Sequence, residues 1–122
     1  MELKELYETI GGDYDQAVRV LRVDKLIDKH IRKLTKNGVV DNLIAAGEDM
    51  DPTQLFETAH AMKGVCANLG LTKLASMASD IAEEYRPGNA RTLTDEEVSA
   101  KIQEIDALYK RTAEGISEYE NA

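Results

Sequence analysis

The chain of 122 residues has no tryptophan, one phenylalanine, one cysteine and two prolines. Each scarcity removes a class of function. So few aromatics argue against a stacking platform for single-stranded nucleic acid. The net charge of −8 argues against binding a phosphate backbone, which needs clustered lysine and arginine. One local exception lies between Arg19 and Lys36, where seven basic residues stand against two acidic ones; it reads as a solvated helix face with acidic neighbours. Cys66 alone cannot form an intramolecular disulfide, and no Cys/His cluster has zinc-ligand spacing, so no metal site is expected. The opening MELKELYETIGG has no apolar run for a signal peptide, and no apolar stretch is long enough to span a membrane. A reduced, cytoplasmic protein without membrane contact is expected.

What is present is helical. Apolar residues recur at helical spacing almost throughout, and no segment alternates as a strand. Short helices are expected over 2–10, stopped by Gly11-Gly12, and over 13–21, started by Asp13. Longer ones follow near 24–36, 52–69, 72–86 and 94–118, with a short one over 39–46 closed by Gly47. Asp51 as N-cap, Pro52 at the first helical position and Gln54 at the third mark one clear start. TDEE at 94–97 is a capping box. Both prolines and almost all eight glycines fall at element ends, leaving no linker. The expected architecture is a single all-α domain over 1–122. An antiparallel four-helix bundle occupies 24–118, with short additional helices in 1–22 packed against it. Its core should include Leu55, Met62, Val65, Leu69, Leu74, Ile81, Ile102 and Ile105.

The segment TAHAMKGVCANLG, residues 58–70, places a histidine inside a helix. At about 100° per residue, Leu55, Thr58, Met62, Val65 and Leu69 fall opposite His60, with Ala59 and Cys66 at the edge of that apolar face. Around His60 lie Thr53, Phe56, Glu57, Lys63, Gly64, Ala67 and Asn68, polar or very small apart from Phe56. His60 should therefore face solvent. His30 is the contrasting case: Val23, Leu26, Ile27 and Leu34 share its face, so a packed, hydrogen-bonded core role is expected.

Several roles compete for an exposed histidine. Many such residues do nothing, and without its neighbours that would be the leading account of His60. Metal binding needs more ligands than Glu57 and Lys63 provide. Catalysis on a small substrate needs a second positioned group and a pocket that excludes water. What remains is a nucleophile served by an outside partner. A neutral imidazole offers a lone pair near neutral pH and can take a phosphoryl group through a loose in-line transition state. Lys63, one turn on, can hold its ammonium near the phosphoryl oxygens. Gly64 leaves bare backbone beside the ring for a bulky partner, and Ala67 continues the cleared strip.

AHAMKGVCANLGL, from Ala59 to Leu71, closely resembles the His-x-x-Lys-Gly core of histidine-containing phosphotransfer (HPt) domains, including the downstream Asn-Leu-Gly. The likeness extends less sharply over the whole chain. It implies that His60 is the phosphorylated residue and Lys63 the cation on the phosphate side. It makes Gly64 the clearance for the partner and Gly70 the helix end, with Asn68 a polar neighbour of the site or a helix cap. HPt domains resemble passive phosphocarriers rather than enzymes: they accept from a receiver-domain aspartyl phosphate and pass the group to another receiver. The resemblance implies response-regulator receivers and a hybrid sensor histidine kinase as partners. The resemblance implies no cofactor on the chain itself, with Mg²⁺ expected only in the partner receiver. An adaptor that binds receivers without phosphotransfer is the alternative. The chain is expected to depart from the amino-terminal domain of chemotaxis kinases in having no kinase or dimerisation segment after Ala122, and the absence of long uninterrupted heptads makes a monomer the expected state.

Overall fold

The computed structural model describes residues 1–122 and contains seven helices and no strand: α1 (Leu3–Ile10), α2 (Tyr14–Leu21), α3 (Asp24–Leu34), α4 (Val39–Asp49), α5 (Pro52–Asn68), α6 (Thr72–Tyr85) and α7 (Asp95–Asn121). Local chemistry sets several starts. Asp13 accepts from the Gln16 amide and Asp51 from the Thr53 amide, both at 3.0 Å. Thr94 and Glu97 close a reciprocal capping box, each side chain meeting the other's backbone N–H. Such caps satisfy amides that the first helical turn leaves without partners.

The bundle has four columns, one of them broken. Along α7, Tyr119 donates to Asp28 of α3 at 2.5 Å and Glu120 pairs with Lys36, while Ile102 lies against Gly47 of α4. Helices α3 and α4 therefore follow one another along α7, interrupted at Thr35–Gly38, where Gly38 takes a left-handed φ of 74°. Helix α7, 27 residues long, spans about 40 Å, enough to cover both segments. The other columns are α5 and α6, the most closely joined pair, with α4 packed on α5 and α6 on α7. Thus α4 is a full member of the bundle rather than an addition to it. Nor does Gly47 end α4. The helix continues to Asp49, because Gly47 is where Ile102 packs in: a Cβ there would lie 2.7 Å from Ile102 Cδ1.

The expected core holds with two corrections. Leu55, Met62, Leu69, Leu74, Ile81, Ile102 and Ile105 are buried, but Val65 is only partly so, while Ala59 and Cys66 have no exposure at all. The buried sector of α5 is turned toward α6, so the edge residues of the apolar face occupy its centre. His30 is exposed, not packed in the core. Helix α3 carries two adjacent apolar rows, and the one that meets the bundle is Ile27, Ile31 and Leu34; the row through Val23, Leu26 and His30 is left outside, with Val23 52% and Leu26 41% exposed.

Two contacts fix the lower end of α5. The Tyr7 hydroxyl donates to the Leu69 carbonyl at 2.6 Å, and the Asp13 amide donates to the Gly70 carbonyl at 2.7 Å. At the other end, buried Glu84 holds the loop between α6 and α7. It accepts from the Thr92 and Leu93 amides at 2.8 Å, the Thr92 hydroxyl at 2.7 Å and Arg91 Nε at 2.9 Å. Burial pushes the Glu84 carboxyl upward, but those donors outweigh it and bring its pKa down to about 2.

Candidate functional site

His60 sits at the middle of α5, more than a turn from either end, with its side chain exposed. It is therefore presented by a rigid element whose opposite face is anchored by Leu55, Ala59, Met62 and Cys66. The Cys66 thiol is buried and its pKa pushed up to about 12 by desolvation, so no reactive thiolate accompanies the histidine. No group of three or more His, Cys, Asp or Glu side chains could hold a metal ion.

On the C-terminal side of the ring the surface is clear. Gly64, four residues on, is exposed, and a Cβ built on it would meet nothing within 4 Å. This sets it apart from Gly12, Gly47, Gly70 and Gly115, each of which is pressed against a neighbour. Packing does not require a glycine at 64, and glycine inside a helix costs roughly 1 kcal/mol relative to alanine. The open surface is what the residue provides. Ala67 is half-buried and Asn68 exposed further along the same strip.

Two expectations change at the end of the helix. Backbone bonds from Gly70 N–H to the Ala67 carbonyl and from Leu71 N–H to the Cys66 carbonyl close the last turn, so Asn68 is not its cap. Gly70 is buried against α2, with φ 72° and a Cβ position that would clash with the Asp13 carbonyl. It ends the helix, as expected, and lies outside the exposed strip where phosphate or a partner could reach it.

The two flanks of His60 differ. Toward α6, the Phe56 and His60 rings stack at 5.7 Å between centroids and 22° between planes. The Arg86 guanidinium lies over Phe56 at 5.3 Å and pairs with Glu83 at 2.8 Å. Arg86 holds the Glu83 carboxyl below its ordinary value, and Lys63 adds a weaker attraction, which places the lysine on this flank. The ion pairs nearby, Arg86–Glu83 and Lys101–Asp80, leave Lys63 out, so its ammonium stays available. Toward α3, Val65, Asn68 and Leu69 share a shallow groove with Leu21, His30, Lys33 and Asn37. Exposed Val20, Val23 and Leu26 lie on the same two helices, α2 and α3, or on the turn joining them.

The sequence brings His60, Lys63, Gly64 and Ala67 together through one helical period, and the structure keeps them together. Arg86 and Glu83 escape sequence reasoning because they sit on another helix. Only the α5–α6 packing carries them to Phe56, and no local spacing signals it.

Comparison with protein families matches the Hpt domain model over residues 25–115, well over half of the chain. Neither the comparison with curated proteins nor that with solved structures returns a match.

Proposed function

The chain belongs to the Hpt domain family, whose members carry phosphoryl groups on histidine in two-component signalling, and from that premise we propose that His60 accepts a phosphoryl group from a receiver-domain aspartyl phosphate and passes it to a second receiver. In the forward step one imidazole nitrogen attacks phosphorus with its lone pair. The acyl P–O bond breaks, and the aspartate carboxylate leaves with the bonding electrons. The other ring nitrogen keeps its proton. Return to a receiver is the same step reversed. Little covalent chemistry falls to the carrier: it positions the ring and supplies charge beside the phosphoryl oxygens, the task assigned to Lys63. The receiver supplies the divalent cation and the acidic pocket.

The observation that carries this reading is the pairing of an exposed, mid-helix His60 with open space at Gly64. A small substrate needs an enclosing cleft, whereas a second protein needs clearance. The docking face proposed for the receiver runs from Gly64 across the α3-side groove to Val23 and Leu26. Exposed Lys33 lines that groove and exposed Arg22 adjoins Val23, and their charge complements an acidic partner surface. No helix is long and apolar enough to cross a membrane.

Incubation with phosphorylated receivers from the same genome tests the proposal. Label on the wild type should be acid-labile and absent from His60→Gln. A wild type that binds receivers tightly yet takes no label would favour an adaptor.

A further inference from the structure

Phe56 and Arg86 stand outside the His-x-x-Lys-Gly pattern, yet Phe56 stacks on the His60 ring and Arg86 lies over Phe56. Side chains on a helix lean toward its N-terminus, so the imidazole leans over the turn that carries Phe56. An exposed histidine with no restraint would sample several rotamers. Here its ring rests nearly parallel on Phe56, at a separation within the range of offset aromatic stacking.

Phe56 is itself restrained. It is half-buried on its core side and covered by the Arg86 guanidinium, whose Nε and Nη2 both donate to Glu83 Oε1, at 3.1 and 2.8 Å. The backbone of Arg86 is fixed as well. The residue precedes Pro87, whose ring disfavours helical geometry there, and Arg86 is extended at φ −59° and ψ 129°. The chain of restraint runs from Pro87 through Arg86 and Phe56 to the imidazole.

We propose that Phe56, clamped by Arg86, is a positioning residue that holds the His60 ring in one orientation, closing the face toward its own turn and leaving the approach over Gly64. This rests on the phosphotransfer reading of His60. Arg86 acts through Phe56 and not as a cation on the phosphoryl group, the role left to Lys63.

Four variants test it: Phe56→Leu, Phe56→Tyr, Arg86→Ala and Arg86→Lys. Proton NMR reports the stack directly. The His60 ring protons should be shifted upfield by the Phe56 ring current, keep that shift in Phe56→Tyr and lose it in Phe56→Leu. Single-turnover transfer from a receiver domain loaded with acetyl phosphate reports the consequence. In Phe56→Leu the saturating rate should fall on the order of tenfold, with the half-saturating receiver concentration unchanged within about twofold. Phe56→Tyr should transfer at the wild-type rate. Arg86→Lys should be as slow as Arg86→Ala, because a compact ammonium does not replace a planar guanidinium stacked on a ring.

A wild-type saturating rate in folded Phe56→Leu overturns the proposal. So does a loss confined to half-saturation, which makes Phe56 a docking contact. Rescue by Arg86→Lys assigns Arg86 to phosphate charge and overturns it too. Absence of the ring-current shift in the wild type refutes the stack whatever the transfer rates. A wild type that no receiver phosphorylates refutes the function instead, and the NMR result still decides the stack.

Discussion

Replacing Gly64 with glutamine separates what the fold needs from what a partner needs. The added Cβ meets no atom within 4 Å, and the position lies on the exposed face of α5. Nothing has to move, and a better helix former replaces glycine, so stability should rise by about 0.5–1 kcal/mol. For a domain of this size that is a gain of roughly 2–5 °C in melting temperature. The same reasoning predicts the opposite at Gly115, where a Cβ would lie 2.5 Å from Ile10 Cγ2. Alanine there should cost about 1–3 kcal/mol by overpacking α1 against α7. Transfer should follow neither trend. Phosphoramidate, a small donor, should phosphorylate His60 in Gly64→Gln within about threefold of wild type, whereas transfer from a phosphorylated receiver should fall on the order of a hundredfold, because only that reaction must press two protein surfaces together. The assay is the ratio of the two rates, variant against wild type, with thermal melting alongside. A Gly64→Gln protein that is more stable and accepts from receivers at the wild-type rate would refute the clearance argument.

Three further outcomes check the packing and electrostatics. Glu84→Gln should destabilise the protein by ~2–3 kcal/mol at pH 7, since four donors lose a charged acceptor. The folded pKa of Glu84, about 2, is depressed below its ordinary 4.5; its contribution is therefore complete above that ordinary value and fades as pH falls toward 2. Denaturant titrations should thus show the wild-type advantage shrinking across that window and no such window for the variant. His30→Ala should change stability by less than about 0.5 kcal/mol, because the side chain is exposed; a loss of several kcal/mol would return it to the core. Native Cys66 should resist thiol reagents at pH 8 and react only after unfolding, since burial pushes its pKa to about 12.

The helices and the outward direction of His60 are legible in the sequence because one periodicity governs both. Once Leu55, Met62 and Leu69 mark the inner face of α5, the opposite residues must be solvated. The register of α3 is not legible in the same way. Two rows lie side by side, Ile27–Ile31–Leu34 and Val23–Leu26–His30, and the tertiary packing buries the first and leaves the second outside. Gly47 misleads for a related reason: a glycine that ends a helix and one that admits a neighbouring side chain look alike until Ile102 is seen against it. The break between α3 and α4 at Asn37-Gly38 is readable as punctuation. That the two segments continue as one column depends on the length of α7. Within the site, Phe56 is visible as the apolar exception beside His60, but its clamp by Arg86 is a product of tertiary packing.

The most direct test of the central claim is a two-step relay with a purified intermediate. The protein is loaded from a phosphorylated receiver, freed of donor, and mixed with a fresh receiver, with the label followed on each chain and its site mapped by mass spectrometry. The account predicts that the label enters on His60 alone, leaves for the second receiver, and never enters His60→Gln. Label mapped to another residue, or retained on His60 in the presence of every receiver that can donate to it, would contradict it.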